Sequence, residues 1–96
     1  MEKKACQLCG GKVEPEAVVK HYVVPREIME QAGMRRSIIV WLCPECHGEL
    51  QRWYAQRVAD TTYDTEIKRF RAKSPPEMVK EYKKAYQRLA RYKKGQ

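Results

Sequence analysis

The residues with most chemistry to offer are four cysteines and two histidines. The cysteines form two pairs, Cys6-x-x-Cys9 and Cys43-x-x-Cys46. A two-residue spacer lets both thiolates of a pair reach one tetrahedral ion, and two such pairs complete a tetrathiolate shell. The expected ion is Zn²⁺. A closed shell has no open position, so the role expected of it is structural rather than catalytic. Redox pairs or disulfides are the competing reading, but charges at Glu2, Lys3, Lys4, Lys12, Glu14 and Glu16 interrupt any secretory signal. A cytoplasmic chain with this spacing favours zinc. Any further chemistry falls to His21 and to His47, which directly follows Cys46. Imidazole binds divalent metals and exchanges protons near neutral pH, although histidines that merely pack or cap are the plainer alternative.

Positioning these side chains requires the chain to return across the 33 residues between the pairs. Cys6-Gln-Leu-Cys-Gly-Gly reads as a tight knuckle, because glycines after the second thiol permit positive φ. Residues 18–24 are β-prone and stop at Pro25, giving a strand that carries His21. A short helix over 26–32 closes at Gly33. Residues 37–42 form a second strand delivering Cys43, and Pro44 then suits the first turn of a helix reaching about Val58. A long insertion followed by a thiol pair that opens a helix is the layout of a treble clef, and the expected fold class is α+β.

Asp60 to Thr65 carries turn and cap chemistry and is expected to open a helix over 65–72. Ser74-Pro-Pro-Glu77 combines a capping serine, proline at the first helical position and glutamate three residues after the cap. The helix it opens is predicted to run to about Lys93, before Gly95. Met78, Tyr82, Ala85, Tyr86 and Leu89 share its docking side, and Lys80, Lys84, Arg88 and Arg91 share another. Trp41 and Trp53 are expected in the core. The organisation is a zinc-binding unit over 1–59 with a basic helical extension over 60–96 packed on it, one domain in all.

Charge adds a partner class. The 96-residue chain has a formal net charge of +8. Residues 1–48 hold seven basic and six acidic side chains, whereas residues 49–96 hold thirteen and six. The field therefore belongs to the C-terminal half, where Phe70, Tyr82, Tyr86 and Tyr92 are interleaved with lysine and arginine. That composition suits phosphate contacts with some stacking, so DNA or RNA is the expected partner, with a merely solvated basic face as the plainer account. The longest apolar run, Ile38 to Cys43, is six residues, far short of the roughly 20 a membrane helix needs. A soluble chain is expected.

A thiol pair, then His21-Tyr-Val-Val-Pro25, then Leu42-Cys-x-x-Cys-His47 opening a helix resembles the HNH (His-Me finger) endonuclease family over about residues 6–53. The resemblance implies a ββα-metal core embedded in a zinc-binding treble clef. It implies that His21 and His47 bind a divalent ion, Mg²⁺ or another, and that Tyr22 occupies the position of the general base, usually histidine. Tyrosine ordinarily titrates near 10, poorly matched to activating water at neutral pH. The family's usual asparagine falls around Ser37 or Ile38, and neither is asparagine. These departures imply a nucleic-acid-binding protein with impaired or absent nuclease activity; the alternatives are a metal-dependent endonuclease and a zinc-stapled adaptor for a protein partner.

Overall fold

A computed structural model describes residues 2–36 and 38–94. The architecture is mixed α and β, built among the described residues from three separate antiparallel hairpins, three α-helices and one short 3-10 helix, Pro15–Ala17. The first hairpin pairs β1 (Lys4–Ala5) with β2 (Lys12–Val13), and the second pairs β3 (Val19–Tyr22) with β4 (Ile39–Leu42). Helix α1 (Arg26–Gln31) lies within the connection between β3 and β4, and α2 (Pro44–Arg57) follows directly on β4. A third hairpin, β5 (Thr61–Asp64) with β6 (Arg69–Ala72), precedes the long α3 (Pro75–Lys94).

Side-chain periodicity accounts for how these pieces stack. Along β4, Val40 and Leu42 are buried while Ile39 and Trp41 are exposed, the period of two of a half-buried strand. On α2 the buried residues Cys46, Leu50 and Tyr54 recur every fourth position and make one inward stripe. Helix α3 packs on both α1 and α2. It buries Val79, Ala85 and Leu89, with Tyr82 and Tyr86 partly buried against the same core. The docking side read from the sequence is thus largely the observed one, with Val79 added. Leu42, Leu50, Leu89, Val24 and Val79 are almost wholly buried. Polar handles cross between layers: the Tyr54 hydroxyl donates to the Val23 carbonyl at 2.9 Å, and Trp53 Nε1 donates to the Ala85 carbonyl at 2.8 Å.

The start of α3 is closed reciprocally, as its sequence predicts. The Ser74 amide donates to Glu77 Oε1 at 3.0 Å and the Glu77 amide donates to Ser74 Oγ at 3.4 Å. Arg71 of β6 adds a fork onto the same carboxylate, at 2.8 and 3.1 Å, and reaches Asp64 of β5 at 3.3 Å. The Arg71 guanidinium, followed by the Ser74 amide, holds the Glu77 carboxyl down at about 2. This exposed network contributes mainly orientation, since surface pairs are worth little in stability.

Three expectations need correction. Residues 65–72 are not a helix. Asp64 Oδ1 accepts from the amides of Glu66 and Ile67 at 2.9 and 3.4 Å, and Lys68 adopts φ 55°, so the aspartate builds a turn rather than a helix cap. The Thr61-Thr-Tyr run then pairs with Arg69 to Ala72, and Tyr63 meets Phe70 edge-on at 5.4 Å. One C-terminal helix therefore follows, not several. Trp41 is not core: it is 46% exposed, because its position in β4 points it away from Val40 and Leu42. Ser37 and Gly95, read as a motif position and a helix stop, lie outside the described residues.

The radius of gyration is 15.5 Å and the extents are 56 × 31 × 16 Å, longer than the ~12.5 Å radius that compact packing gives a chain this size. Tyr63, Ile67 and Phe70 on the third hairpin are 52%, 50% and 70% exposed, consistent with an arm that stands off the core. No helix is long and apolar enough to cross a membrane among the described residues. Truncating the buried Leu89 to alanine should cost about 2–5 kcal/mol, whereas Phe70→Ala, which loses only an exposed cross-strand pair, should cost about 1 kcal/mol or less; urea unfolding of the zinc-loaded protein checks both.

Candidate metal centre and cationic groove

The first thiol pair is shaped by backbone closure. The Cys6 amide donates to the Gly11 carbonyl at 2.8 Å, and the Gly10 amide donates to the Cys6 carbonyl at 2.8 Å. Gly10 sits at φ 78°, a left-handed conformation that a side chain would strain, and the Gly11 amide turns to Cys9 Sγ at 3.4 Å. The second pair is shaped by a helix start. Cys43 is the N-cap of α2, its extended backbone entering from β4, and its Sγ accepts from the Cys46 amide at 3.4 Å. Thiolates at a helix N-terminus are favoured by the orphan amides and the dipole.

Gln7 joins the two knuckles. Its amide donates to the Trp41 carbonyl at 2.9 Å while its Oε1 accepts from the Trp41 amide at 2.6 Å, so one residue of the first knuckle holds both backbone polar groups of Trp41 at the edge of β4. All four sulfurs consequently lie within 4.8 Å of one another, with Cys9 and Cys43 at 4.0 Å. A zinc tetrathiolate with bonds near 2.3 Å has sulfur–sulfur edges of about 3.8 Å, so closing the shell asks for shifts of about 1 Å at most. Electrostatics point the same way. Burial raises the Cys6 thiol, but amides at Cys43, Cys9 and Leu8 outweigh it and hold the group at about 6. Burial first, then the neighbouring thiols, pushes Cys46 well up, and burial raises Cys43. Sulfurs this crowded cannot all ionise without a cation among them. The donor set fits structural Zn²⁺.

His21 and His47 are brought together. Their rings meet edge-on, with centroids 5.2 Å apart, and Tyr54 lies 6.0 Å from His21. His21 Nε2 is buried without a hydrogen-bond partner. Burial, and next the proximity of His47, lower the pKa of His21. The tetracysteine group is the sole cluster of three or more metal-ligating side chains among the described residues, so the histidines offer two donors on their own. Two imidazoles suit a transition ion better than Mg²⁺, which prefers oxygen ligands. Tyr22 is not part of this pair. It lies opposite Ile39 in the hairpin register while His21 lies opposite Val40, so it emerges on the outer face, its ring flanked by Lys20 Nζ at 5.4 Å and the Arg26 guanidinium at 5.7 Å.

Of the four basic residues singled out on α3, Lys84, Arg88 and Arg91 line an open groove of about 270 Å³ together with Gln87. Lys80 is exposed but outside this lining. An adjoining groove of about 150 Å³ shares Lys84 and Arg88 and adds Arg57 and Glu81. Arg57, at the end of α2, lies 3.5 Å over the Trp53 ring. Ion pairs among the described residues engage Lys3, Arg71, Lys73 and Lys93, and none of Arg57, Lys84, Arg88 or Arg91. Gln7, Tyr54 and Arg57 escape a reading by motif. Tyr54 had a signal, its spacing of four from Leu50, whereas Gln7 and Arg57 act through tertiary contacts with no local signature.

No family model, curated protein or solved structure matches the chain. Chelation of the metal, or Cys43→Ser, should abolish the cooperative thermal transition, since such ligation is worth roughly 10 kcal/mol or more of folding free energy. Elemental analysis of freshly purified protein should give one zinc per chain.

Proposed function

We propose that this chain is a zinc-stabilised, HNH-like treble-clef protein that binds DNA or RNA through phosphates, with little or no nuclease activity, in the reducing cytoplasm. The observation that carries the binding role is the convergence of Arg57 from α2 with Lys84, Arg88 and Arg91 from α3 around open grooves, with no carboxylate among the described residues pairing any of them. Four cations from two packed helices form a field that phosphates would neutralise with release of counterions. The indole under Arg57 restricts its guanidinium and so lowers the ordering cost of a contact.

The HNH-like part rests on order and placement: a knuckle, a strand with His21, its antiparallel partner, then a helix whose first turn holds Cys46 and His47. Weak or absent hydrolysis follows from Tyr22. A base must lie within hydrogen-bond reach of the water it activates, and Tyr22 projects from the face opposite the histidine pair. A second reading, a divalent-metal-dependent endonuclease, is favoured by one observation, the buried and unpartnered Nε2 of His21 beside His47. There the two imidazoles would hold an ion, which would supply Lewis-acid polarisation of a phosphate.

Neutralising Lys80, Lys84, Arg88 and Arg91 together should weaken duplex binding across sequences and flatten its salt dependence by roughly one unit per lost phosphate contact. Undetectable binding at low salt would instead favour the adaptor. Plasmid incubated with the native protein and Mg²⁺ or Mn²⁺ should remain supercoiled, and Tyr22→His should not change that, because the new imidazole would emerge away from His21 and His47. Efficient nicking abolished by His47→Ala would promote the nuclease.

A further inference from the structure

The outer face of the β3–β4 hairpin combines aromatic, aliphatic and cationic groups in a way the metal centre and the α3 groove do not use. The register pairs Lys20 with Trp41 and Tyr22 with Ile39, and all four side chains share the face turned from α2. Trp41 is 46% and Ile39 40% exposed. Trp41 and Tyr22 are diagonal neighbours on this face, a relation that spans about 7–8 Å and lies within reach of aromatic side chains. The platform is rigid as well as open, because both backbone polar groups of Trp41 are bonded to Gln7.

The charges around this face select what covers it. Lys20 and Arg26 flank the Tyr22 ring, and Arg35 and Arg36 lie in the chain just before β4. Among the described residues none of these four cations is in an ion pair. Aromatic rings alternating with unneutralised cations match a polymer that presents flat π-surfaces and anions in alternation. Duplex hides its base faces, whereas an unpaired strand offers them.

We infer that the outer face of the β3–β4 hairpin binds single-stranded nucleic acid, its bases stacking on Trp41 and Tyr22 and its phosphates meeting Lys20 and Arg26. This deepens the nucleic-acid reading above and rests on it for the class of ligand, but it assigns a different surface and a different strand state.

The test uses the zinc-loaded full chain, fluorescein-labelled oligo(dT) and a labelled duplex. Stacking of a base on an aromatic ring is a main source of single-strand affinity, so Trp41→Ala should lose about tenfold in oligo(dT) affinity and Trp41→Phe much less, with duplex affinity unchanged within about twofold. Oligo(dT) should quench native indole emission, and this quench should vanish in Trp41→Phe. Should Trp41→Ala fail to take up zinc, Tyr22→Leu and Lys20→Gln serve instead, the first lowering affinity and the second reducing the salt slope by about one unit. Native affinity in Trp41→Ala overturns the inference, as does binding without quenching, or a native dimer that Trp41→Ala dissociates while oligo(dT) affinity is unmoved. A native protein that binds duplex but not oligo(dT) overturns this inference alone, whereas one that binds neither overturns the nucleic-acid reading itself.

Discussion

Four sulfurs drawn from two turns, Cys9 and Cys43 lying 34 positions apart in the chain, must meet within 4.8 Å, and that demand shapes the rest of the molecule. Bringing distant turns together costs loop-closure entropy, and crowding partly buried thiols costs electrostatic free energy. The fold offsets these costs locally. Each pair has its own closed backbone, one glycine-dependent and one a helix start, and Gln7 ties the first turn to the strand leading into the second. Once the turns are locked, β4 must run into Cys43 and α2 must leave from it. The intervening chain returns as β3, and the meeting of His21 with His47 follows from that geometry.

Features that depend on near neighbours were legible in the chain. The thiol pairs, the proline and glutamate after Ser74, and the amphipathic spacing of α3 each carry their physical cause within a few residues, and each has the structure expected of it. The misreadings share another cause. Asp64 has the same hydrogen-bonding capacity as a helix cap and as a turn, and only pairing of Tyr63 with Phe70 and the reach of Arg71 to Asp64 decide between them. Trp41 looked internal because tryptophan usually is, but a period of two assigns alternate residues to opposite faces whatever their polarity. Arg57 joins the α3 cations only through packing of two helices.

The same alternation separates roles within one strand. His21 and Tyr22 are adjacent in sequence yet face opposite sides of the hairpin, one towards α2 and the other towards Lys20 and Arg26. A motif describes order along the chain, whereas chemistry requires groups to share a space. Tyr54 illustrates the converse. Distant from any motif, it touches His21, Tyr82 and the Val23 carbonyl at once, and so joins β3, α2 and α3 at one buried point.

Arg71 has a mechanical consequence. It is the shared partner of Asp64 in the third hairpin and Glu77 at the head of α3, so the arm is braced to the helix by a strut on the surface rather than by a greasy joint. Charges in such a brace are screened as ions accumulate, whereas buried leucines are not. The molecule therefore has two kinds of stiffness. Its body is held by buried apolar contacts, and its arm is tied to the helix by charged contacts that ions screen.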